Sequence, residues 1–334
     1  MIHAYVELSG ESAGLGRSEA VSAAEALGGK HGSGEPAFDG LVDLELPDAA
    51  TLGRLAGRLA LAHRCLVLLA PGPSYRERIA KAGAFGGSAA VRRVGRPSGP
   101  ADSAILSAGR AYVEAGGRID LAHPQRRFWL AADRSGADWL FEETGEVDRA
   151  SATGRRMPKL PFQRPVSLPP RLARAAANLA RVRPGDRVLD PFLGTGALLG
   201  EAGLLGARVY GIDRDATMVR GALQNLQHLG VTADAVLAGD AGAVEFEDSS
   251  TPFDALLTDP PYGRSSSTGG ETADRLVARV VPRWAQRVRP GGRIVLIVPA
   301  GAPPLEGVGP IAVSVSVRVH RSLTREFRAY EVVR

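Results

Sequence analysis

Four short apolar runs in the second half of the chain, each followed by an aspartate, limit the folds open to it. Arg187-Val188-Leu189-Asp190, the run 207–212 before Asp213, the run 235–238 before Gly239-Asp240, and Ala255-Leu256-Leu257 before Thr258-Asp259 all read as buried strands. Helical patterns at 197–205 and 218–229 lie between the first three. Strand and helix in alternation predict an α/β fold with a mostly parallel sheet. In open sheets of this kind ligands bind beyond the carboxyl ends of the strands, where the four acids fall.

Between the first strand and its helix stands Pro191-Phe192-Leu193-Gly194-Thr195-Gly196. Its glycines let backbone N–H groups approach a ligand closely at a helix N-terminus. A dinucleotide site would want a third glycine where Leu199 stands, and Asp190 would repel a pyrophosphate. S-adenosylmethionine carries an α-ammonium and a sulfonium instead, and an acid at the strand end suits it. Asp213, beside Arg214, is placed to accept two ribose hydroxyls, with Asp215 the alternative in an exposed charged cluster. Asp240, before Ala241, is placed to accept from an adenine amino group. The cofactor-binding set expected is Asp190, Phe192, Gly194, Thr195, Gly196, Asp213, Arg214, Asp240 and Ala241.

The chemistry is expected at Asp259-Pro260-Pro261-Tyr262. Pro260 and Pro261 have fixed φ and no N–H, so they stiffen a loop at the strand end. The Asp259 carboxylate and the Pro260 carbonyl can accept from an –NH₂ group while Tyr262 stacks on the ring that carries it. A Pro-rich turn is the bland alternative. The arrangement resembles the Asp/Asn-Pro-Pro-Tyr motif of methyltransferases that modify exocyclic or amide nitrogens. The loop 263–270, rich in Ser, Thr and Gly, follows and is expected to be mobile.

The front half reads as two smaller α/β units, 1–70 and 71–150, divided at Pro71-Gly72-Pro73. The first has a ferredoxin-like order of strands and helices. In the second, 117–124 followed by Phe128-Trp129-Leu130 resembles the end of a THUMP domain, an RNA-binding module. Residues 151–169 form a Pro-rich basic connector holding Arg155, Arg156, Lys159 and Arg164, expected to be extended and to contact phosphates. A solvated linker is the alternative. The catalytic domain is expected over 170–334, closed by an antiparallel pair at 311–319 and 328–333 with a basic connection from His320 to Arg325.

Composition narrows the rest. A net charge of +5 over 334 residues favours an anionic partner. Cys65 is the only cysteine, which rules out an intrachain disulfide and a cysteine-based metal cluster, and no metal is expected. No uncharged apolar run of 18 residues and no charged-then-apolar leader is present, so a cytoplasmic protein free of membrane is expected.

Residues from about 165 to 334 are similar to Rossmann-fold methyltransferases. More narrowly, the chain resembles the archaeal tRNA guanine-10 N2-methyltransferases, the Trm-G10 or archaeal Trm11 group. The residues carrying the resemblance are 167–179, 189–196, Thr258-Asp259-Pro260-Pro261-Tyr262-Gly263-Arg264-Ser265 and His320-Arg321-Ser322-Leu323-Thr324-Arg325. Leu193 departs from it where relatives often have Cys. The resemblance implies ferredoxin-like and THUMP domains ahead of the catalytic one, S-adenosylmethionine as cofactor, tRNA as partner, a monomer, and N2-methyl- or N2,N2-dimethylguanosine as product. An adenine-N6 methyltransferase and a catalytically silent tRNA-binding protein are the alternatives.

Overall fold

The computed structural model describes residues 1–33, 38–69, 74–81, 86–95, 102–155, 159–165, 167–248, 250–261, 271–320 and 323–333. Two compact units divide them: Met1–Ala13, Leu27–Gly57 and Ala62–Val147 form one, and Gly14–Ala26, Arg58–Leu61 and Asp148–Arg334 the other. None of the described helices is long and apolar enough to cross a membrane.

The chain opens with β1 (Ile2–Leu8) and α1 (Ala13–Ala26), then β2 (Lys30–His31), β3 (Leu41–Leu46), α2 (Ala49–Arg58) and β4 (Ala62–Leu68). It continues with α3 (Tyr75–Lys81), β5 (Ser88–Arg93), α4 (Asp102–Glu114), β6 (Arg118–Ile119), β7 (Arg126–Ala132) and β8 (Asp138–Glu146). Asp48 starts α2 as its sequence suggests, accepting from the Thr51 backbone N–H at 2.8 Å. The eight strands of the first unit form one sheet in the order β2-β3-β1-β4-β8-β7-β5-β6. Strands expected to lie in two separate domains thus share a sheet: β4 pairs with β8 across the Pro71 region, with Leu66 opposite Glu143. The sequence reading passes over β5, whose Ser88-Ala89-Ala90-Val91 is buried throughout and shows no alternation.

The second unit adds α5 (Ser151–Gly154), α6 (Pro170–Leu179), β9 (Arg187–Asp190), α7 (Ala197–Leu204), β10 (Arg208–Asp213), α8 (Ala216–His228) and β11 (Ala233–Ala238). Then come β12 (Phe253–Thr258), α9 (Ala273–Ala285), β13 (Val288–Pro299), β14 (Ile311–His320) and β15 (Leu323–Glu331). Its sheet runs β11-β10-β9-β12-β13-β15-β14. The first five are parallel to one another, and β15 is antiparallel to both β13 and β14. This is the expected α/β Rossmann-like arrangement, with four acids at one end.

Side chains alternate across this sheet and sort into two cores. Val188, Leu257, Val295 and Ile297 join one cluster with residues of α6 and α7 and with Leu15 and Leu61. Leu189, Leu256, Ile294 and Leu296 join a second, built on Trp284 of α9. Helix α9 stops at Ala285, because Val288 already pairs with Phe253 and Gly291-Gly292 fall in a register shift before Arg293 pairs with Ala255. One boundary differs from the sequence reading. Strand β15 begins at Leu323 rather than 328, so Thr324 and Arg325 belong to the sheet.

The connector is also tied down more than its composition suggests. Asn225 of α8, 2% exposed, answers Phe162 like a paired strand: the Phe162 N–H donates to Oδ1 at 2.9 Å, and Nδ2 donates to the Phe162 carbonyl at 2.9 Å. The same Nδ2 donates to the Thr195 carbonyl at 3.0 Å. The Phe162 ring covers Gly221, where a Cβ would stand 2.2 Å from it. Asn225→Ala leaves these groups unanswered and is expected to cost about 2–3 kcal/mol in denaturant titration. It should also speed tryptic cleavage after exposed Lys159, whereas unchanged cleavage would mean that Asn225 does not anchor the segment.

Candidate functional site

The site is built on the turn from β9 into α7. Gly194 and Gly196 take the left-handed conformation, with φ of 53° and 80°. That lets the chain reverse while the Leu193 N–H still reaches the Ile212 carbonyl at 2.8 Å. Gly196 is the N-cap of α7, and a Cβ there would stand 3.2 Å from the Ala222 Cβ. Above Gly194 the nearest such contact is 3.9 Å away, which leaves room for a ligand against the backbone.

Asp190 ends β9 and is 1% exposed. One of its oxygens accepts from the Phe192 N–H at 3.0 Å and from the Thr258 hydroxyl at 2.6 Å. Burial pushes its carboxyl up to about 7, helped by the nearby charges of Asp259 and Asp213 and opposed by the two hydrogen bonds. Asp213 ends β10 and braces the same turn: it accepts from the Gly194 N–H at 2.8 Å and from the Asp215 N–H at 2.9 Å. Burial raises it above the usual carboxylate range. Asp215 instead caps α8 through the Thr217 N–H at 2.7 Å, which favours Asp213 as the ligand-facing acid of the two. Arg214 between them is exposed.

Asp240 follows β11 and accepts from the Gly242 N–H at 2.8 Å and from Arg279 at 3.1 Å. The first of these bonds chiefly holds its carboxyl below the usual range. Ala241 is buried, and its carbonyl takes the Trp284 indole N–H at 2.8 Å. Phe192 is half-buried, while Thr195 is buried with its hydroxyl 2.8 Å from that of Ser167.

Asp259 and Pro260 leave the carboxyl end of β12, and Arg325 of β15 donates to Asp259 Oδ2 at 3.0 Å. Thr258, wholly buried, links this stretch to Asp190, so two motifs 68 positions apart meet through one hydrogen bond. Pro261 is half-buried. Tyr262 and the loop 263–270 lie outside the described residues, as do Arg156, Arg321 and Ser322.

The expected phosphate contacts divide. Arg155 is turned inward, its Nε donating to Glu201 at 2.7 Å, and Arg174 holds the other Glu201 oxygen at 2.7 Å. Lys159 and Arg164 are exposed, with the Arg164 guanidinium 4.7 Å from the Phe162 ring centroid. Glu201, Arg279 and Arg325 are contributors whose roles the sequence reading did not assign. Of the three, Arg325 alone falls within a stretch that the sequence marks, His320 to Arg325.

Residues 158–307 match the UPF0020 family model, described as an RMKL-like methyltransferase domain. Over 179 residues the chain is 43% identical to a tRNA (guanine(10)-N2)-dimethyltransferase of Methanothermobacter thermautotrophicus, covering 52% of each protein. Over 218 residues it is 36% identical to the protein of that name from Pyrococcus abyssi, covering 64% of each. The matches thus span between about half and two thirds of these curated relatives. The resemblance drawn from the motifs is borne out. A solved structure, a possible methylase from Clostridium difficile, covers all of this chain and 98% of that one with a TM-score of 0.51 at 17% identity, a likeness of fold.

The raised Asp190 gives the stability of the unliganded chain a definite pH dependence. A carboxyl with a higher pKa folded than unfolded binds its proton more tightly in the native state, so its contribution is largest below the unfolded value of 3.8 and is lost as pH rises through about 7. Asp190→Asn cannot titrate. The stability difference, wild type minus variant, should therefore fall by on the order of 3 kcal/mol between pH 4 and 7 and level off above. Parallel pH profiles from chemical denaturation would refute the raised carboxyl.

Proposed function

We propose that this chain is a tRNA (guanine-N2)-methyltransferase that uses S-adenosylmethionine and acts at guanine 10 to give N2-methyl- and then N2,N2-dimethylguanosine. The observation that carries the reading is the Thr258 to Asp190 hydrogen bond, which locks an amine-accepting Asp-Pro-Pro stretch against a glycine turn suited to a cationic cofactor. The relatives named above support the choice of acceptor.

The residues present fit the cofactor. Asp190 is a buried acid whose ionised form a neighbouring ammonium would stabilise, Gly194 offers open backbone, and Asp213 is held by two N–H groups with its carboxylate at the strand end. Phe192, Thr195, Gly196, Arg214, Asp240 and Ala241 complete the proposed set. S-adenosylmethionine supplies an electrophilic methyl group on its sulfonium.

The chain's own part is to hold the acceptor. Guanine N2 is a weak nucleophile because its lone pair is delocalised into the ring. Hydrogen bonds from its two N–H groups to Asp259 and the Pro260 carbonyl favour a pyramidal nitrogen, and Tyr262, with Pro261 stiffening the turn, stacks on a base flipped out of its helix. Positioning supplies much of the rate. Methylated nitrogen is strongly acidic and gives up its proton readily, so Asp259 acts mainly as an acceptor.

In this reading 71–150 supply the THUMP-like part and 1–70 the ferredoxin-like part of the front of the chain, whose strands share one sheet, and the front part grips tRNA away from the reacting base. Lys159, Arg164 and Arg156 contact phosphates, while Arg155, paired with Glu201, holds the connector in place. The chain works as a monomer in the cytoplasm.

The test incubates the full chain with labelled S-adenosylmethionine and either unmodified tRNA or duplex DNA, then digests to nucleosides. Label in N2-methylguanosine from tRNA supports the reading, and label in N6-methyladenosine or its deoxy form overturns it. Asp259→Ala is expected to lose at least roughly a hundredfold in single-turnover rate with cofactor affinity by calorimetry nearly unchanged. A rate near wild type would remove Asp259 from the mechanism.

A further inference from the structure

We infer that Arg325 is a positioning residue that sets the orientation of the Asp259 carboxylate, an inference that rests on the proposed function. Register explains how a residue 66 positions away arrives there. Strand β12 runs parallel to β13, with Thr258 beside Leu296, and β15 runs antiparallel to β13, with Arg325 beside Pro299. The start of β15 therefore lies at the edge of the sheet where β12 ends, one strand beyond β13. From there the guanidinium reaches across β13 to Asp259 Oδ2 at 3.0 Å.

The contact is costly unless it serves a purpose. Arg325 is 7% exposed, and removing a guanidinium from water is favourable only when it is well paired. An apolar residue at this strand position would pack without that penalty. A lysine would bring the charge, but its flexible stem would not hold a donor against Oδ2 as the rigid guanidinium does. Asp259 follows the last residue of β12 and precedes two prolines, so its backbone is rigid on both sides. The remaining freedom is rotation of the carboxylate, and the Nη1 bond to Oδ2 restrains it. Arg325 itself need not touch substrate or cofactor.

The test compares wild type, Arg325→Gln, Arg325→Lys, Asp259→Asn and the Arg325→Gln/Asp259→Asn double variant as full chains. Each is measured for melting temperature, calorimetric affinity for S-adenosylmethionine, tRNA affinity and single-turnover rate on unmodified tRNA. Arg325→Gln should slow turnover roughly thirtyfold or more, with both affinities within about twofold of wild type, and Arg325→Lys should recover part of the loss. In the Asp259→Asn background the Gln substitution should add little, since the two residues act as one unit. Losses that multiply, or an Arg325→Gln rate within about threefold of wild type while Asp259→Asn is slow, would overturn the inference. Should Arg325→Gln not fold, Arg325→Lys carries the comparison: a wild-type rate for it would overturn the role of the guanidinium. If wild type places no label on guanine N2, the proposed function falls by itself. A crystal structure of Arg325→Gln, or of Arg325→Lys if only that folds, then still decides: a rotated Asp259 carboxylate upholds the inference and an unmoved one ends it.

Discussion

A carboxyl group almost wholly out of water needs its hydrogen bonds more than any other group nearby, and Asp190 is that group here. It ends β9, starts the glycine turn through the Phe192 N–H, and reaches Thr258 at the end of β12. Two neighbouring parallel strands are thereby fixed in height relative to each other at their carboxyl ends. The turn that could hold a cofactor and the stretch that could hold an acceptor amine cannot shift independently. Asp213 repeats the device one strand over, bracing Gly194 from β10. The acids at the strand ends are parts of the scaffold first, and their availability to a ligand follows from being held.

A second buried carboxylate organises another part of this unit. Glu19 of α1 is wholly buried and accepts from the N–H groups of Ala60 and Leu61 and from the Asn178 amide, at 2.8 to 2.9 Å. Asn178 in turn accepts from Arg58 at 2.8 Å and donates to the Arg58 carbonyl. Burial raises the Glu19 carboxyl and lowers the Arg58 guanidinium to about 10, so each polar group depends on the others for its charge. Residues from three stretches far apart in sequence, 14–26, 58–61 and 170–179, are thus committed to one compact unit. Such a network is half-satisfied if any stretch is missing, which argues that a fragment starting near residue 165 would leave Asn178 exposed or unpaired.

The strands that end in acids were legible because two signals coincide in each: an apolar run of strand length and a turn residue or acid that ends it. The glycine turn was legible because only glycine takes φ of 53° and 80° cheaply. The connector reads as extended because Asn225 looks, in sequence, like any polar residue on a helix. Its burial against Phe162 depends on Gly221 lacking a side chain, a packing fact with no local pattern. Strand β5 escaped because both its faces are covered, which erases the period of two. Arg325 reads as part of a basic connection, since a buried arginine and an exposed one are the same letter. Only the partner, 66 positions away, distinguishes them.

The same ambiguity limits what net charge says about a nucleic-acid partner. Arg58, Arg174, Arg187, Arg293, Arg325 and Arg328 are all buried, and each is matched inside the protein by a carboxylate, an amide or a carbonyl. None of them can reach a phosphate without breaking such a pair. Arg155 is tied to Glu201 in the same way. Of the four cations first assigned to phosphate, Lys159 and Arg164 are exposed, and Arg156 lies outside the described residues. Each phosphate contact contributes a bounded slope, about 0.7 to 0.9 in log affinity against log salt. The connector can therefore supply only a small part of the salt dependence that tRNA binding would need. In the proposed function the larger part would come from surface cations elsewhere, and the exposed arginines of the second half of the first unit, such as Arg110 and Arg118, have the charge and the exposure for it.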